Sequence, residues 1–105
     1  MAVRHILGFE RNPAALQVLR DQYRQRREID RELGINCTVR FYTLDYGGSD
    51  SNRASIQYDY ASFDEVQQAQ DKRMADGRWV ELNQALMTTG FAVNFSAIAT
   101  DQTPD

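Results

Sequence analysis

The chain has 105 residues, 42% hydrophobic and 26% charged, which are ordinary values for one globular domain with a modest core. Twelve Lys and Arg against fifteen Asp and Glu give a net charge of −3, which argues against a nucleic-acid partner and against an anionic membrane surface. One cysteine, Cys37, and one histidine, His5, exclude an intrachain disulfide, a cysteine metal cluster and a multi-histidine site; carboxylate metal sites remain open, and the expectation is a protein with no metal and no other cofactor.

No apolar run approaches the roughly 20 residues needed to span a bilayer. The first residues lack a signal-like apolar segment, and a lone thiol suits a reducing compartment. The expectation is a cytoplasmic protein with a single domain over residues 1–105 and an ordered core over about 3–99.

Val3 to Glu10 alternates Val3, His5, Leu7 and Phe9 with Arg4, Ile6, Gly8 and Glu10, which predicts a strand. Asn12-Pro13 reads as an N-cap with proline in the first turn. A helix follows to about Leu33, with Leu16, Leu19, Tyr23, Ile29 and Leu33 on its buried stripe and Gly34 in the left-handed terminating position. Cys37 to Tyr46 predicts a second strand. The Gly47–Asn52 run is a dense turn signal, and Ala54 to Tyr60 is the returning strand of an antiparallel hairpin.

Ser62-Phe63-Asp64-Glu65 reads as a capping box. The second helix turns Val66, Ala69 and Met74 inward, is interrupted at Gly77, and resumes with Trp79, Leu82 and Leu86. Phe91 to Ala99 is the last strand, with Phe91, Val93 and Phe95 on the more apolar face.

The order β-α-β-β-α-β, with both crossovers right-handed, leads to an α+β, ferredoxin-like fold: a four-stranded antiparallel sheet in the order 4-1-3-2 with helices on one face. The face assigned to the helices holds Val3, Leu7, Phe9, Cys37, Val39, Phe41, Ile56, Tyr58, Phe91, Val93 and Phe95. The opposite face is mixed. Ile6, Tyr42, Leu44 and Ile98 argue against leaving it bare, while Arg40, Gln57, Asp59, Asn94 and Ser96 would each need a partner or water in a dry interface. A second copy closing a partly filled barrel with a polar cavity satisfies both sets.

With that element order, and with the helix–break–helix segment Asp76-Gly77-Arg78-Trp79 before the last strand, residues 3–99 resemble the dimeric α/β-barrel superfamily, which includes antibiotic-biosynthesis-type monooxygenases and NIPSNAP-like small proteins. The resemblance implies a homodimer formed through the open sheet face and a cavity for a small, often aromatic, molecule. Haem-degrading relatives use a helical histidine, which this chain lacks, so no catalytic residue carries over.

Pocket candidates follow from the faces. Placing Tyr46 opposite Arg53 sets Arg40 opposite Asp59, Tyr42 opposite Gln57 and Leu44 opposite Ser55, so Arg40 and Asp59 form a cross-strand ion pair that either holds the hairpin or orients an anionic or phenolic ligand. Asn94 and Ser96 offer hydrogen bonds to a ligand or to a dimer partner. Trp79 packs in the core or walls a planar ligand. His5, the side chain that titrates near neutrality, falls on the helix side as a structural residue, or becomes a base if a bulge turns its strand. Cys37 reads as buried and inert. The arginines at 20, 24, 27 and 31, interleaved with acids, read as a solvated helix face, with Arg24 and Glu28 as an i,i+4 pair.

Two functions compete. One is a small-molecule-binding dimeric barrel acting as a cofactor-independent monooxygenase or isomerase. The other is a non-catalytic regulatory module of the same fold, working through the Phe9–Pro13 loop.

Overall fold

The structure, a computed structural model, describes residues 2–45 and 52–104. Strand β1 (Val3–Glu10) leads into helix α1 (Pro13–Glu32), then the hairpin β2 (Thr38–Thr43) and β3 (Arg53–Tyr60), helices α2 (Phe63–Met74) and α3 (Gly77–Met87), and β4 (Phe95–Thr100). The four strands form one antiparallel sheet in the order β2-β3-β1-β4. This is the 4-1-3-2 order read from the other edge, with the second helix in two pieces.

Local signals set the element ends. The Asn12 side chain accepts from the Ala15 amide and Pro13 occupies the first turn. Gly34 at φ +73° ends α1 in a conformation that costs a residue with a Cβ. Ser62 and Glu65 form the capping box of α2. The break before α3 falls at Ala75-Asp76. Gly77 is not itself the interruption but the first residue of α3, whose cap is Asp76 accepting from the Arg78 amide.

The core lies between the helices and one sheet face, with Val3, Phe9, Ala15, Leu16, Leu19, Ile56, Val66, Ala69 and Leu86 buried in it. Full burial of each large apolar side chain contributes about 1.5–3 kcal/mol. Phe91 packs edge-on against Phe9, with ring centroids 4.8 Å apart.

A polar cluster runs through this core. Arg73 donates from Nε and an Nη to the two carboxylate oxygens of Asp30 at 2.8 and 2.7 Å, and from its other Nη to the Tyr60 hydroxyl at 2.7 Å. Both ion-pair partners are buried, Asp30 to 1% exposure and Arg73 to 4%. Asp30 and Arg27 are thus not part of a solvated face: Arg27 donates to the Cys37 carbonyl at 2.7 Å. Glu28 pairs with Arg31 rather than Arg24. Other helix expectations also shift, because α1 and α2 cover less of the sheet than a full apolar stripe would. Tyr23 is exposed and stacks edge-on over Phe41, and Met74 is exposed at the end of α2.

The hairpin register differs by two residues from the expected one. Arg40 faces Gln57, Tyr42 faces Ser55 and Thr38 faces Asp59, and the Leu44 amide donates to the Arg53 carbonyl. The strands therefore separate two residues sooner on the β2 side, leaving a longer connection than the turn signal implied. Tyr46 and residues 47–51 lie outside the described residues. Asp59 pairs instead with Arg4 of β1, through Nε at 2.7 Å and an Nη at 3.1 Å.

The last strand differs more. It begins at Phe95, not Phe91, with Phe95 as register partner of Gly8. The Asn94 amide nevertheless donates to the Gly8 carbonyl at 2.9 Å. Two residues therefore stand against one, the signature of a bulge. The extra residue reverses the alternation: Phe95 and Ala97 join Gly8 and Ile6 on the open face, while Ser96 and Ile98 join Leu7 and His5 on the helix face.

Asp30→Ala strands the buried Arg73 guanidinium and is expected to cost roughly 3–5 kcal/mol of stability. Chemical unfolding checks this; a loss below about 1 kcal/mol would mean the pair is not the fastening described.

Candidate functional site

Where α2 ends at Met74 and α3 begins at Gly77, the helical layer stops short of the sheet edge. On β4 the helix-facing Ser96 and Ile98 remain exposed, although their register partners Leu7 and His5 lie on the central strand β1. At the α2–α3 junction an open cleft of about 380 Å³ is lined by Leu7 and Tyr58 from β1 and β3, Gln67, Gln70, Asp71, Arg73 and Met74 from α2, and Trp79 from α3.

Its back wall is held rigidly. Two guanidinium groups stand over the Trp79 ring, Arg26 4.6 Å and Arg73 4.9 Å from its centre, an arrangement in which each cation is attracted to the ring face. Arg26 is itself fixed by Gln22 at 3.0 and 2.8 Å and by Asn83 at 2.9 Å. Gln22 donates to the Leu82 carbonyl at 3.0 Å. Arg73 also lies 4.7 Å from the Tyr58 ring centre. Burial pushes the Tyr58 phenol up, and it pushes the Tyr60 phenol up to about 12, so both stay neutral at physiological pH. Burial likewise raises the Cys37 thiol, which remains protonated and a poor nucleophile.

Beside this wall His5 is 6% exposed and stands opposite Tyr58. Its Nε2 lies 3.2 Å from Ser96 Oγ. Burial, and then the positive charge of Arg73, hold its pKa below the ordinary 6.5, so the imidazole is neutral at pH 7.

The eight sequence-derived candidates do not share one cavity. Trp79 lines the helix-side cleft, and His5 and Ser96 lie on the same side of the sheet. Arg40, Tyr42, Gln57 and Asp59 lie on the opposite face, and Asn94 sits in the bulge before β4 with its amide bound to Gly8. On that opposite face Ile6, Gly8, Tyr42, Leu44, Gln57 and Phe95 form a broad, shallow depression of about 620 Å³. A Cβ at Gly8 would come within 3.1 Å of the Phe95 Cβ, so any larger residue there requires Phe95 to shift by a few tenths of an ångström. Arg40 and Tyr42 also border a groove of about 660 Å³ along the outer edge of β2, facing Arg20 and Tyr23 of α1.

Sequence reasoning missed Arg73, Asp30, Arg26, Gln22 and Tyr60 as a connected group. The signal was present: Arg73 follows Val66 and Ala69 at helical spacing, and Gln22 and Arg26 continue the stripe of Ala15 and Leu19, so polar residues occupy positions that should be apolar. The Phe9–Pro13 loop is pinned, with Phe9 buried, the Arg11 amide bound to the Asn52 carbonyl, Arg11 paired with Asp45, and Asn12 donating to the Thr89 carbonyl.

Among the described residues no helix is long and apolar enough to cross a membrane, and no group of three His, Cys, Asp or Glu side chains is placed to hold a metal.

No family model and no curated protein matches the chain; its similarities are to solved structures. An uncharacterised NIPSNAP domain protein from Burkholderia xenovorans superposes with a TM-score of 0.68 at 16% identity, covering 100% of both chains. A monooxygenase from the gene ActVA-Orf6 of Streptomyces coelicolor, solved with nanaomycin D, gives 0.63 at 15% identity over 99% of this chain and 89% of that one. A dimeric ferredoxin-like protein from an uncultured marine organism gives 0.60 at 12% identity over 100% and 98%. The chain therefore has the ferredoxin-like fold shared by these NIPSNAP-type and monooxygenase proteins.

Because the folded pKa of His5 lies below its unfolded value of 6.5, the fold favours the neutral ring. The associated stability is fully present above pH 6.5 and is lost as pH falls through the lowered folded value. Thermal melts from pH 7.5 to 4.5 are expected to show a falling Tm in wild type and a flatter profile in His5→Gln. Parallel profiles would exclude His5 as the source.

Proposed function

We propose that the protein is a small-molecule-binding homodimer, in which two copies pack their open sheet faces together and each copy holds a planar, mainly apolar molecule in its helix-side cleft. The observation that carries the reading is the cleft itself. It has apolar surface from Leu7, Met74 and Trp79, a few polar groups at its margin, and a back wall locked by Arg26, Arg73 and Asp30. A few fixed polar groups in an apolar recess are the usual make-up of a small-ligand site. The fold shared with a monooxygenase solved with nanaomycin D supports the same reading, and cofactor-independent oxygenation or isomerisation is the chemistry that such a site would perform.

The dimer rests on the other face. Tyr42, Leu44 and Phe95 are exposed there, Phe95 to 51%, around the half-buried Ile6. Each stabilises an interface by at most about 1.5–3 kcal/mol on full burial. Arg4 and Asp59 already satisfy one another at the rim, so they can enter an interface as a neutral pair. The dimeric ferredoxin-like structure of the same topology supports this assembly.

Native mass spectrometry is expected to show two chains, and Phe95→Asp is expected to give monomers; a wild-type monomer at micromolar concentration would remove the dimer from the proposal. The cleft has its own reporter, because Trp79 is the single tryptophan. Titration with 2-methoxynaphthalene should change Trp79 fluorescence saturably, and Met74→Phe, which narrows the mouth, should weaken that response about tenfold or more. No saturable response in wild type would remove the cleft as a binding site.

A further inference from the structure

Strand β2 is the outermost strand of the sheet and has no neighbour on its far side. The Leu44 amide donates to the Arg53 carbonyl in the same register that pairs Tyr42 with Ser55 and Arg40 with Gln57. Counting back from Leu44, every second residue therefore bonds inward to β3, and the amides and carbonyls of Val39, Phe41 and Thr43 point outward in the plane of the sheet. They face the groove of about 660 Å³ whose other bank is Leu16, Arg20 and Tyr23 of α1. A free strand edge beside a helix is the arrangement in which an extended peptide adds as a further strand.

The groove has an apolar bank and a cationic one. Leu16 is buried, and Tyr23 meets Phe41 edge-on with ring centroids 5.7 Å apart. Arg40 lies on the opposite face of β2. No Asp or Glu lines the groove, and among the described residues neither Arg20 nor Arg40 has a hydrogen-bonded or ion-paired partner. Asp59, on which Arg40 acts through space, is already held by Arg4. The edge strands of a second copy would not answer these charges: β2 carries Arg40 as its one charged residue and β4 carries none.

We propose that the groove between α1 and β2 is a docking site for an acidic, extended peptide segment of another protein, which adds as a fifth strand along the outer edge of β2. The main chain of the segment pairs with Val39, Phe41 and Thr43. Its side chains alternate: apolar ones pack toward Leu16, Tyr23 and Phe41, and carboxylates lie on the side of Arg40. Arg20 adds a second positive charge at the helix bank. The edge groups point in the plane of the sheet whereas the dimer contact uses its face, so the two surfaces are compatible. The site does not depend on the helix-side cleft.

The probe is a dye-labelled peptide of six residues, the length of β2, alternating valine with glutamate and followed by fluorescence anisotropy on the full chain. A valine–lysine peptide is its counterpart. The expected result is saturable binding of the glutamate peptide and binding of the lysine peptide weaker by about tenfold or more. Arg40→Gln should weaken the glutamate peptide about tenfold and Arg20→Gln about threefold; both side chains are exposed, so neither change touches the core. Two N-methylated forms of the glutamate peptide, one methylated at the valines and one at the glutamates, test the main chain. One edge of the peptide meets β2, so one form should bind like the parent and the other should lose binding. Hydrogen exchange then locates the strand: the amides of Val39, Phe41 and Thr43 should exchange fast in the free protein and slowly with peptide bound, while those of Arg40 and Tyr42 are slow throughout. Equal binding of the two methylated forms would show an anion site without strand addition. No preference for glutamate over lysine would remove the charge recognition. Slow exchange at Val39, Phe41 and Thr43 in the peptide-free protein would show a second copy on the edge. Each of these outcomes overturns the proposal, as does the absence of saturable binding.

Discussion

A buried arginine–carboxylate pair holds the helical layer to the sheet. Asp30 is near the end of α1 and Arg73 near the end of α2, and their two-point contact fixes how these helices lie against each other. Burying two charges is expensive, and the cost is offset only when geometry and further hydrogen bonds satisfy both groups. Here Tyr60 takes a further Arg73 donor, and the rings of Tyr58 and Trp79 face the guanidinium. Burial opposes the Arg73 charge, but Asp30 and the two tyrosines outweigh it and its pKa is raised. The pair thus joins β3, α1, α2 and α3 at one point.

The site follows from that point. Arg73 is anchored one residue before α2 ends, and Asp76 restarts the helix as α3 with Trp79 in the first turn. The break leaves the helix side of β4 without a roof. The same residues that stabilise the interior therefore make the stiff wall of the recess, and an apolar ligand entering it meets surfaces that need little reordering, which favours affinity.

Most of the fold was legible because local chemistry states it. The Asn12-Pro13 start, the Gly34 stop, the Ser62–Glu65 box and the alternation of β1 and β3 each have one low-energy solution. The candidate site was legible only in pieces. Trp79 and His5 stand out as single residues, but their neighbours are set by pairing between distant strands. The hairpin register depends on how many residues the connection takes up, which the glycine-rich run does not count out. The buried charges were read as surface residues because a helical wheel rich in arginine and acid looks solvated until Asp30 finds Arg73 on another helix, 43 residues on.

The bulge at Asn94 sets which residues of β4 correspond to those of other chains with this fold. Phe91, Val93 and Phe95 invite alignment as one apolar row, yet Phe91 packs into the core against Phe9 while Phe95 emerges on the other side of the sheet. The last strand therefore has a phase as well as a position, set by a single extra residue. A relative with one residue fewer before β4 would present its Phe95 equivalent to the helices and its Ser96 equivalent to the opposite face, with scarcely any change in fold. Descent in this architecture can exchange the lining of two surfaces by insertion or deletion alone, and equivalences drawn by hydrophobic pattern will cross from one surface to the other unless the bulge is counted.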